Sequence, residues 1–197
     1  MQVISRWLVK GFRRIGSQIR LIGLRSRYGN GSFPSDLDVA AGGRISVTDG
    51  GRIRIGSACQ IDSNATLIVK HGKLEIGERT YIGVGAVLCA RERVTIGREV
   101  LIAEYVTIRD QDHTFGGATP AGERGFTTAP VVIGDNVWLG AKVTVTKGVT
   151  IGANSVIGAN SVVTSDIPAG VLAAGVPARV LRSCDPTSGS ISPRVSV

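Results

Sequence analysis

An aliphatic residue returns every six positions from residue 55 onward, and this period constrains the fold more than any other feature of the chain. The series falls into triplets, with steps of six inside each triplet and extra residues only between triplets. Because a helix repeats every 3.6 residues, such steps exclude a helical fold. The triplets are Ile55, Ile61 and Leu67; Ile76, Ile82 and Leu88; Ile96, Ile102 and Ile108; Ile133, Leu139 and Val145; and Ile151, Ile157 and Val163.

Glycine shows that the true period is eighteen residues, because it follows the first member of every triplet and never the third. The 27 glycines of this 197-residue chain are about twice the usual share. A chain that turns every six residues and closes after three sides forms triangular coils, with glycine at the tight corners and aliphatic side chains stacked inside. We therefore predict an all-β parallel β-helix of 18-residue coils, whose insertions collect at one corner.

Positive charge is concentrated at the N-terminus. Residues 1–31 hold seven Lys and Arg and no Asp or Glu, so residues 32–197 account for only +1 of the net charge of +8. Residues Ile4, Leu8, Phe12, Ile15, Ile19 and Ile22 follow helical spacing. This pattern predicts a short basic amphipathic helix, which either lies on an anionic membrane surface or packs its apolar face on the body or a neighbouring subunit. No apolar run reaches the ~20 residues that span a bilayer.

The predicted organisation has three parts. Residues 1–31 form the helical segment, residues 32–182 form the β-helix domain with a loop insertion at residues 109–132, and residues 183–197 form a flexible tail. Such a large insertion in a compact fold predicts a structureless lid. The three cysteines, Cys59, Cys89 and Cys184, have no paired spacing, so neither a disulfide framework nor a metal site is expected, and a reducing cytoplasmic setting fits best.

The stretch "IGDNVWLGAKVTVTKGVTIGANSVIGANSVVTSDIPAGVLAAGVPARVL" resembles the C-terminal half of the hexapeptide-repeat acyltransferases, such as the galactoside, maltose, serine and polysaccharide O-acetyltransferases. The resemblance is strongest over residues 94–182. It implies a left-handed β-helix, a homotrimer with active sites between subunits, and acetyl-CoA as cosubstrate. Carbonic anhydrases of the same fold are excluded, because each zinc ion there needs three histidines and this chain has two.

His113, in "IRDQDHTFG", begins the large insertion, where the related enzymes hold their catalytic histidine. Neutral imidazole suits the removal of a hydroxyl proton near pH 7, so we predict that His113 is the general base; the alternative is a surface loop histidine. Asp110, Asp112 and backbone carbonyls are candidates to orient its ring, and the N–H of Ala141 is the candidate oxyanion donor. His71 is predicted to be an exposed turn residue.

Further site residues follow from the resemblance. Ala141 and Ala159 match coenzyme A contacts one coil apart, and Trp138 is a candidate wall of the cleft. Thr164 and Ser165 match a Thr-Lys pair, with the lysine missing here. Arg179 and Arg182 match basic residues that meet the nucleotide end; the alternative is a solvated basic patch.

The acceptor site departs from the family pattern. Gly85 stands where galactoside-type enzymes have a sugar-binding asparagine. Glu104 is placed in one column with Gly85, Ala141 and Ala159, as either an acceptor ligand or a structural surface carboxylate.

The sequence thus predicts an O-acetyltransferase that modifies a sugar hydroxyl in surface polysaccharide or glycan synthesis. The expected setting is the cytoplasm, with a peripheral membrane contact through residues 1–31 and no nucleic acid partner. Two alternatives remain: acetylation of a small soluble acceptor such as serine or an antibiotic, and a non-catalytic β-solenoid scaffold.

Overall fold

The computed structural model describes residues 2–29, 32–118 and 120–184, with side chains from residue 15 onward. One helix, α1 (Gln2–Tyr28), precedes a parallel β-helix of about six turns. The residues of the predicted tail from 185 onward lie outside the described part. The prediction of an all-β coil stack behind a helix is confirmed.

Three parallel sheets form the faces of a triangular prism. The first face contains β1 (Asp38–Val39), β4 (Gln60–Ile61), β7 (Tyr81–Ile82), β10 (Leu101–Ile102), β15 (Trp138–Leu139), β18 (Val156–Ile157), β20 (Val171–Gly175) and an antiparallel last strand, β21 (Ala178–Ser183). The second face contains β2 (Arg44–Thr48), β5 (Thr66–Lys70), β8 (Val87–Ala90), β11 (Thr107–Arg109), β16 (Thr144–Val145) and β19 (Val162–Val163). The third face contains β3 (Arg52–Ile55), β6 (Lys73–Ile76), β9 (Arg93–Ile96), β14 (Val131–Ile133) and β17 (Thr150–Ile151).

The aliphatic series forms the core of the prism. Every member of the five triplets is buried, and residues eighteen or more positions apart pair directly, as in Ile102 beside Leu139 and Leu139 beside Ile157. The stack also begins before the first triplet, inside the predicted β-helix domain of residues 32–182. Val39 pairs with Ile61 and Ile45 with Leu67, so a further coil precedes Ile55.

The glycine that recurs in each triplet has a different structural role from the predicted one. At the corners, the left-handed backbone is adopted by residues two positions later, such as Arg79, Asn136 and Asn154. The glycine itself allows close approach between coils: a β-carbon at Gly134 would lie 2.6 Å from the backbone nitrogen of Ala153. Glycine is therefore needed for stacking rather than for the turn.

All insertions between triplets fall between the second and third faces, as predicted. The largest is not structureless. It forms an arm, residues 110–130, in which β12 (Gln111–His113) and β13 (Phe126–Thr128) pair as antiparallel strands, with a 3-10 turn at Ala121–Glu123. The prediction that this insertion is structureless is therefore wrong.

Helix α1 packs on the first coil by a face other than the predicted one. Ser17 and Leu21 are buried against the coil. On the same side of the helix, Ser17 Oγ accepts the N–H of Val39 at 2.9 Å, and Arg20 Nε donates to the Val39 carbonyl at 2.7 Å. These bonds satisfy edge groups that have no preceding strand. None of the helices in the described part of the chain is long and apolar enough to cross a bilayer.

The predicted apolar face of α1 points outward instead. Ile15, Ile19 and Ile22 are 62%, 65% and 66% exposed. The side chains of Ile4, Leu8 and Phe12, which belong to the same prediction, lie outside the described residues. The expectation that this face packs on the body is wrong for the described isoleucines.

Candidate active site

A column of turn residues runs along the first edge, between the first and second faces. Glu104, Ala141 and Ala159 occupy equivalent positions in successive coils, two residues after the paired Ile102, Leu139 and Ile157. Small side chains at two of the three positions leave the backbone accessible.

Ala141 presents a free backbone donor on the first edge. The N–H groups on either side are used: Gly140 donates to the Ile157 carbonyl at 2.8 Å, and Lys142 donates to the Glu104 carbonyl at 2.9 Å. Within the described part of the chain, the N–H of Ala141 donates to neither backbone nor side chain. The N–H groups of Glu104 and Ala159 likewise have no acceptor among the described residues, so the first edge presents a row of backbone donors that can meet ligand oxygens.

Gly85 does not share a position with Glu104, which corrects the predicted column. Ile82 pairs with Ile102, so Gly85 is level with Tyr105, and both have left-handed backbones. A β-carbon at Gly85 would lie 2.6 Å from Cε1 of Tyr105. The Tyr105 ring, 56% exposed, therefore occupies the space that a side chain at residue 85 would need.

The arm leaves the prism at the second edge, between the second and third faces, and Asp110 anchors it there. Its buried carboxylate accepts the N–H groups of Arg91, Glu92 and Arg93 at 2.7–3.0 Å. Ala129, at the other end of the arm, donates its N–H to the Asp110 carbonyl at 3.0 Å. The two ends of the arm are thus fixed to each other and to the preceding coil.

His113 lies exposed at the end of β12, in a stack of three side chains. Its ring centroid is 4.1 Å from that of Phe126, its partner across the hairpin, with the ring planes tilted by 39°. The Arg91 guanidinium carbon lies 3.5 Å from the centroid of Phe126. Phe126 therefore bridges the coil stack and the histidine, through a cation–π contact on one side and a ring contact on the other.

Neither aspartate near His113 orients its ring in this structure. Asp110 is saturated by the N–H groups of the neighbouring turn, and Asp112 forms an ion pair with Lys147 at 2.6 Å. No hydrogen bond to the His113 ring comes from the described residues of this chain. The prediction that Asp110 or Asp112 holds the imidazole is therefore wrong for a single copy of the chain, and Phe126 is the contact that the sequence reasoning missed.

The remaining predicted residues divide between the edges. Thr164 and Ser165 follow Val163, which pairs with Val145, so they lie exposed on the second edge, level with Thr146 and Lys147. Arg179 and Arg182 are exposed on β21. Arg179 pairs with Ala174, one residue after the Ala173 that pairs with Ile157, so it lies just beyond Ala159 at the end of the first edge.

His71 is an exposed turn residue, as predicted, whereas the role of Trp138 as a wall of the cleft stays a prediction. Trp138 is half exposed on the first face, three residues before Ala141, between Leu101 and Val156 on the neighbouring strands. His71 is exposed in a turn with a left-handed backbone. A cleft beside Tyr28 and β3 contains none of the predicted site residues.

Two of the three cysteines, Cys59 and Cys89, are buried. Burial raises the pKa of the Cys59 and Cys89 thiols above the ordinary value, and a hydrogen bond from the backbone only partly opposes this for Cys59. Because the thiolate is the reactive form, the raised pKa disfavours nucleophilic chemistry at both thiols. His71 and His113 are both exposed, and His113 is the one that the arm carries, with an imidazole suited to proton transfer.

The predicted site is divided between two edges of the prism. Glu104, Ala141, Ala159 and Arg179 line the first edge, whereas His113 stands on an arm at the second, with the whole second face between them. One copy of the chain therefore does not bring the histidine and the free N–H together.

Comparisons with known proteins agree with this architecture. A family model described as bacterial transferase hexapeptide (six repeats) matches residues 130–165. The galactoside O-acetyltransferase of Escherichia coli (strain K12) is 44% identical over 109 residues, which are 55% of this chain and 53% of that protein. The polysialic acid O-acetyltransferase of Escherichia coli O1:K1 / APEC is 42% identical over 132 residues, which are 66% of this chain and 42% of that protein.

A solved structure covers more of the chain. A galactoside acetyltransferase in complex with coenzyme A has a TM-score of 0.61 and 30% identity, covering 87% of this chain and 82% of that one. The chain belongs to the hexapeptide-repeat transferase family, and its fold is the left-handed parallel β-helix. It spans about half the length of the curated relatives it matches.

Proposed function

We propose that this chain is an acetyl-CoA-dependent O-acetyltransferase that modifies a sugar hydroxyl in surface polysaccharide or glycan synthesis. The observation that carries the proposal is the arm, which holds the exposed His113 away from the coils while Ala141 offers a free N–H on another edge. The relatives support the acceptor class, because their names specify galactoside and polysialic acid O-acetylation. The location proposed is the cytoplasm, where acetyl-CoA is available.

In the proposed reaction, neutral His113 removes the proton from the acceptor hydroxyl as its oxygen attacks the thioester carbonyl carbon. The carbonyl oxygen gains negative charge in this step and accepts a hydrogen bond from the N–H of Ala141. The carbon–sulfur bond then breaks, the acetyl group stays on the acceptor oxygen, and the proton on His113 passes to the sulfur. The products are the acetyl ester and coenzyme A, and His113 is neutral again.

Acetyl-CoA is proposed to lie along the first edge. Its extended pantetheine arm passes the small residues Ala141 and Ala159, and its phosphates meet Arg179 and Arg182 at the end of the prism. The exposure of both guanidiniums and the position of Arg179 beyond Ala159 support this direction. Thr164 and Ser165 are on the second edge, so we propose that they contact the coenzyme that is bound along the first edge of a neighbouring copy of the chain.

The proposal includes a homotrimer. Because the two halves of the site lie on different edges, a neighbouring copy must place its arm against the first edge. Three copies around a common axis satisfy this requirement equally, since each supplies one arm and one groove. The orienting partner that His113 lacks in one copy is then expected from the neighbouring subunit.

The acceptor is proposed to contact the turn around residues 85, 104 and 105. Gly85 provides no side-chain amide, and Tyr105 covers it with a half-exposed ring suited to packing against a sugar. Glu104 is exposed beside Tyr105 and level with Ala141, so its carboxylate can accept hydroxyl hydrogen bonds near the thioester.

The test is thiol release from acetyl-CoA with a panel of simple glycosides, nucleotide sugars, lipid-linked saccharides and serine. A saccharide that accelerates release in the wild type, but not in His113→Ala with coenzyme A binding intact, supports the proposal. Acceleration by serine alone would indicate the small soluble acceptor class. Failure of the wild type to bind coenzyme A would contradict the enzyme proposal and favour a scaffold.

A further inference from the structure

The outward side of α1 is an unpartnered apolar stripe, formed by Ile15, Ile19 and Ile22 and called the isoleucine stripe. Each is about two-thirds exposed. At 100° per residue, the three lie within an arc of about 60° on the helix surface. Three neighbouring β-branched side chains in water form a contiguous patch, which marks an interaction surface rather than scattered exposure.

The direction of the isoleucine stripe is fixed by the opposite side of the helix. Leu21 is buried in the core cluster, and Ser17 and Arg20 hydrogen-bond to the backbone of Val39. Arg25 donates to the Phe33 carbonyl at 2.8 and 3.1 Å. Turning the stripe toward the coils would break these bonds and expose Leu21, so its partner must come from outside the chain.

Charge identifies the class of partner. Residues 1–31 carry seven positive residues and no negative residue, whereas the remaining 166 residues sum to only +1. A neutral body with one strongly basic end is attracted to an anionic surface through that end alone. Covering the stripe with a second copy of the same segment would instead bring two sets of seven positive charges together.

We propose that the isoleucine stripe docks α1 onto the surface of an anionic phospholipid bilayer. The helix would lie in the plane of the interface, with the isoleucines in the acyl boundary; Arg20 and Arg25 would stay bonded to the body, and the other basic residues of the segment would meet the headgroups. α1 caps the first coil, so docking leaves the later coils, with Ala141 and Ala159, directed away from the lipid. This inference is independent of the chemistry proposed for His113.

The test is co-sedimentation of the full chain with vesicles of phosphatidylcholine alone, or with about one third phosphatidylglycerol. We expect binding to the anionic vesicles only, weakening with added salt. The variant I15S/I19S/I22S keeps every charge and the buried side of α1, and we expect it to bind at least tenfold more weakly. The matched control V176S/L181S removes exposed apolar side chains far from α1 and should bind like the wild type.

Three results would overturn the proposal. The wild type could remain in the supernatant with both vesicle types. The triple variant could bind as well as the wild type, which would remove the stripe from the contact. Light scattering could show that the triple variant loses subunits while the wild type ignores vesicles, which would make the stripe an interface between copies.

Discussion

The coil stack and the arm are held in place by different kinds of contact. In the stack, each corner repeats the backbone hydrogen bonds of the corner below, as in Lys142 to Glu104 and Asn160 to Ala141. The arm leaves this ladder after Asp110, and its position depends on single side-chain contacts at its root and on Phe126. The stack thus provides a regular edge of turn residues, and the arm carries one exposed histidine beyond its own coil.

This difference teaches where each kind of residue can be changed. A corner in the stack is constrained by the coil above it, so its tolerance depends on backbone distances. Beyond its root at Asp110 the arm has few neighbours, so its residues there should affect chemistry more than stability. Paired substitutions, one in the stack and one in the arm, therefore test whether the two regions differ in this way.

Replacing the two histidines should give the largest contrast. His113→Ala removes the proposed base and should lower kcat by about 10²- to 10⁴-fold. His71→Ala, at an exposed turn of the stack, should leave kcat unchanged. Steady-state kinetics with the responsive acceptor provides the measurement, and equal losses in the two variants would remove His113 from the chemistry.

Adding one methyl group should distinguish the two regions in stability. Gly134→Ala places a β-carbon 2.6 Å from the Ala153 backbone, so we expect a loss of about 3 kcal/mol in the free energy of unfolding. Gly122→Ala on the arm meets nothing within 4 Å and should be neutral. Urea unfolding measures both, and a tolerated Gly134→Ala would contradict the close approach of the coils.

Asp110 and Asp112 test the root of the arm. Asp110→Asn places an amide donor against the N–H groups of Arg91, Glu92 and Arg93, so stability should fall by about 2 kcal/mol and activity should fall with it. Asp112→Asn loses only a partly exposed ion pair with Lys147, and its effect should stay below about 1 kcal/mol. Urea unfolding and turnover should be measured on both; equal effects would argue against Asp110 as the anchor.

Phe126 should act on the histidine rather than on the fold. Phe126→Leu removes the ring between Arg91 and His113, and we expect kcat to fall by about tenfold with little change in unfolding, since one aromatic contact contributes about 1 kcal/mol. Phe126→Tyr should restore kcat. If both variants lose stability in proportion to activity, Phe126 is structural only.

The smallest effect concerns pH and Asp135, which lies at the edge between the third and first faces. The Arg98 N–H and guanidinium lower the pKa of Asp135, so its folded pKa lies below the unfolded one. Its contribution is therefore present above the unfolded pKa of about 3.9 and is lost as pH falls through the folded pKa. The urea midpoints of wild type and Asp135→Asn should differ slightly at pH 7 and converge as pH falls below the folded pKa of Asp135; a difference that grows in acid would reverse the sign.

The stack could be predicted because its order is local and periodic. One inward aliphatic residue per side fixes the register of each coil, so Ala141 and Ala159 stack as expected. The coil before Ile55 carries no full triplet, because Val39 and Ile45 lie on the first and second faces and the third face begins only at β3. Gly85 was misplaced by one residue because turn residues carry no inward side chain to mark their level.

The arm and the helix could not be predicted in the same way. Phe126 and Arg91 meet across 35 positions of sequence, and only the hairpin pairing brings Phe126 to His113. The side of α1 that packs on the coils could not be predicted, because the coil edge needs hydrogen-bond partners, and Ser17 and Arg20 supply them where an apolar face could not. Both failures concern contacts between segments that no repeat relates.

Mixing two inactive variants tests most directly whether the site lies between copies. His113→Ala lacks the base but keeps the groove, and Ala159→Trp blocks the groove but keeps the arm. Each should be inactive alone. Coexpressed mixed assemblies should recover a clear fraction of wild-type acetyl transfer, because an arm from one variant meets a groove of the other. Mixed assemblies that form and remain inactive would contradict a site shared between subunits.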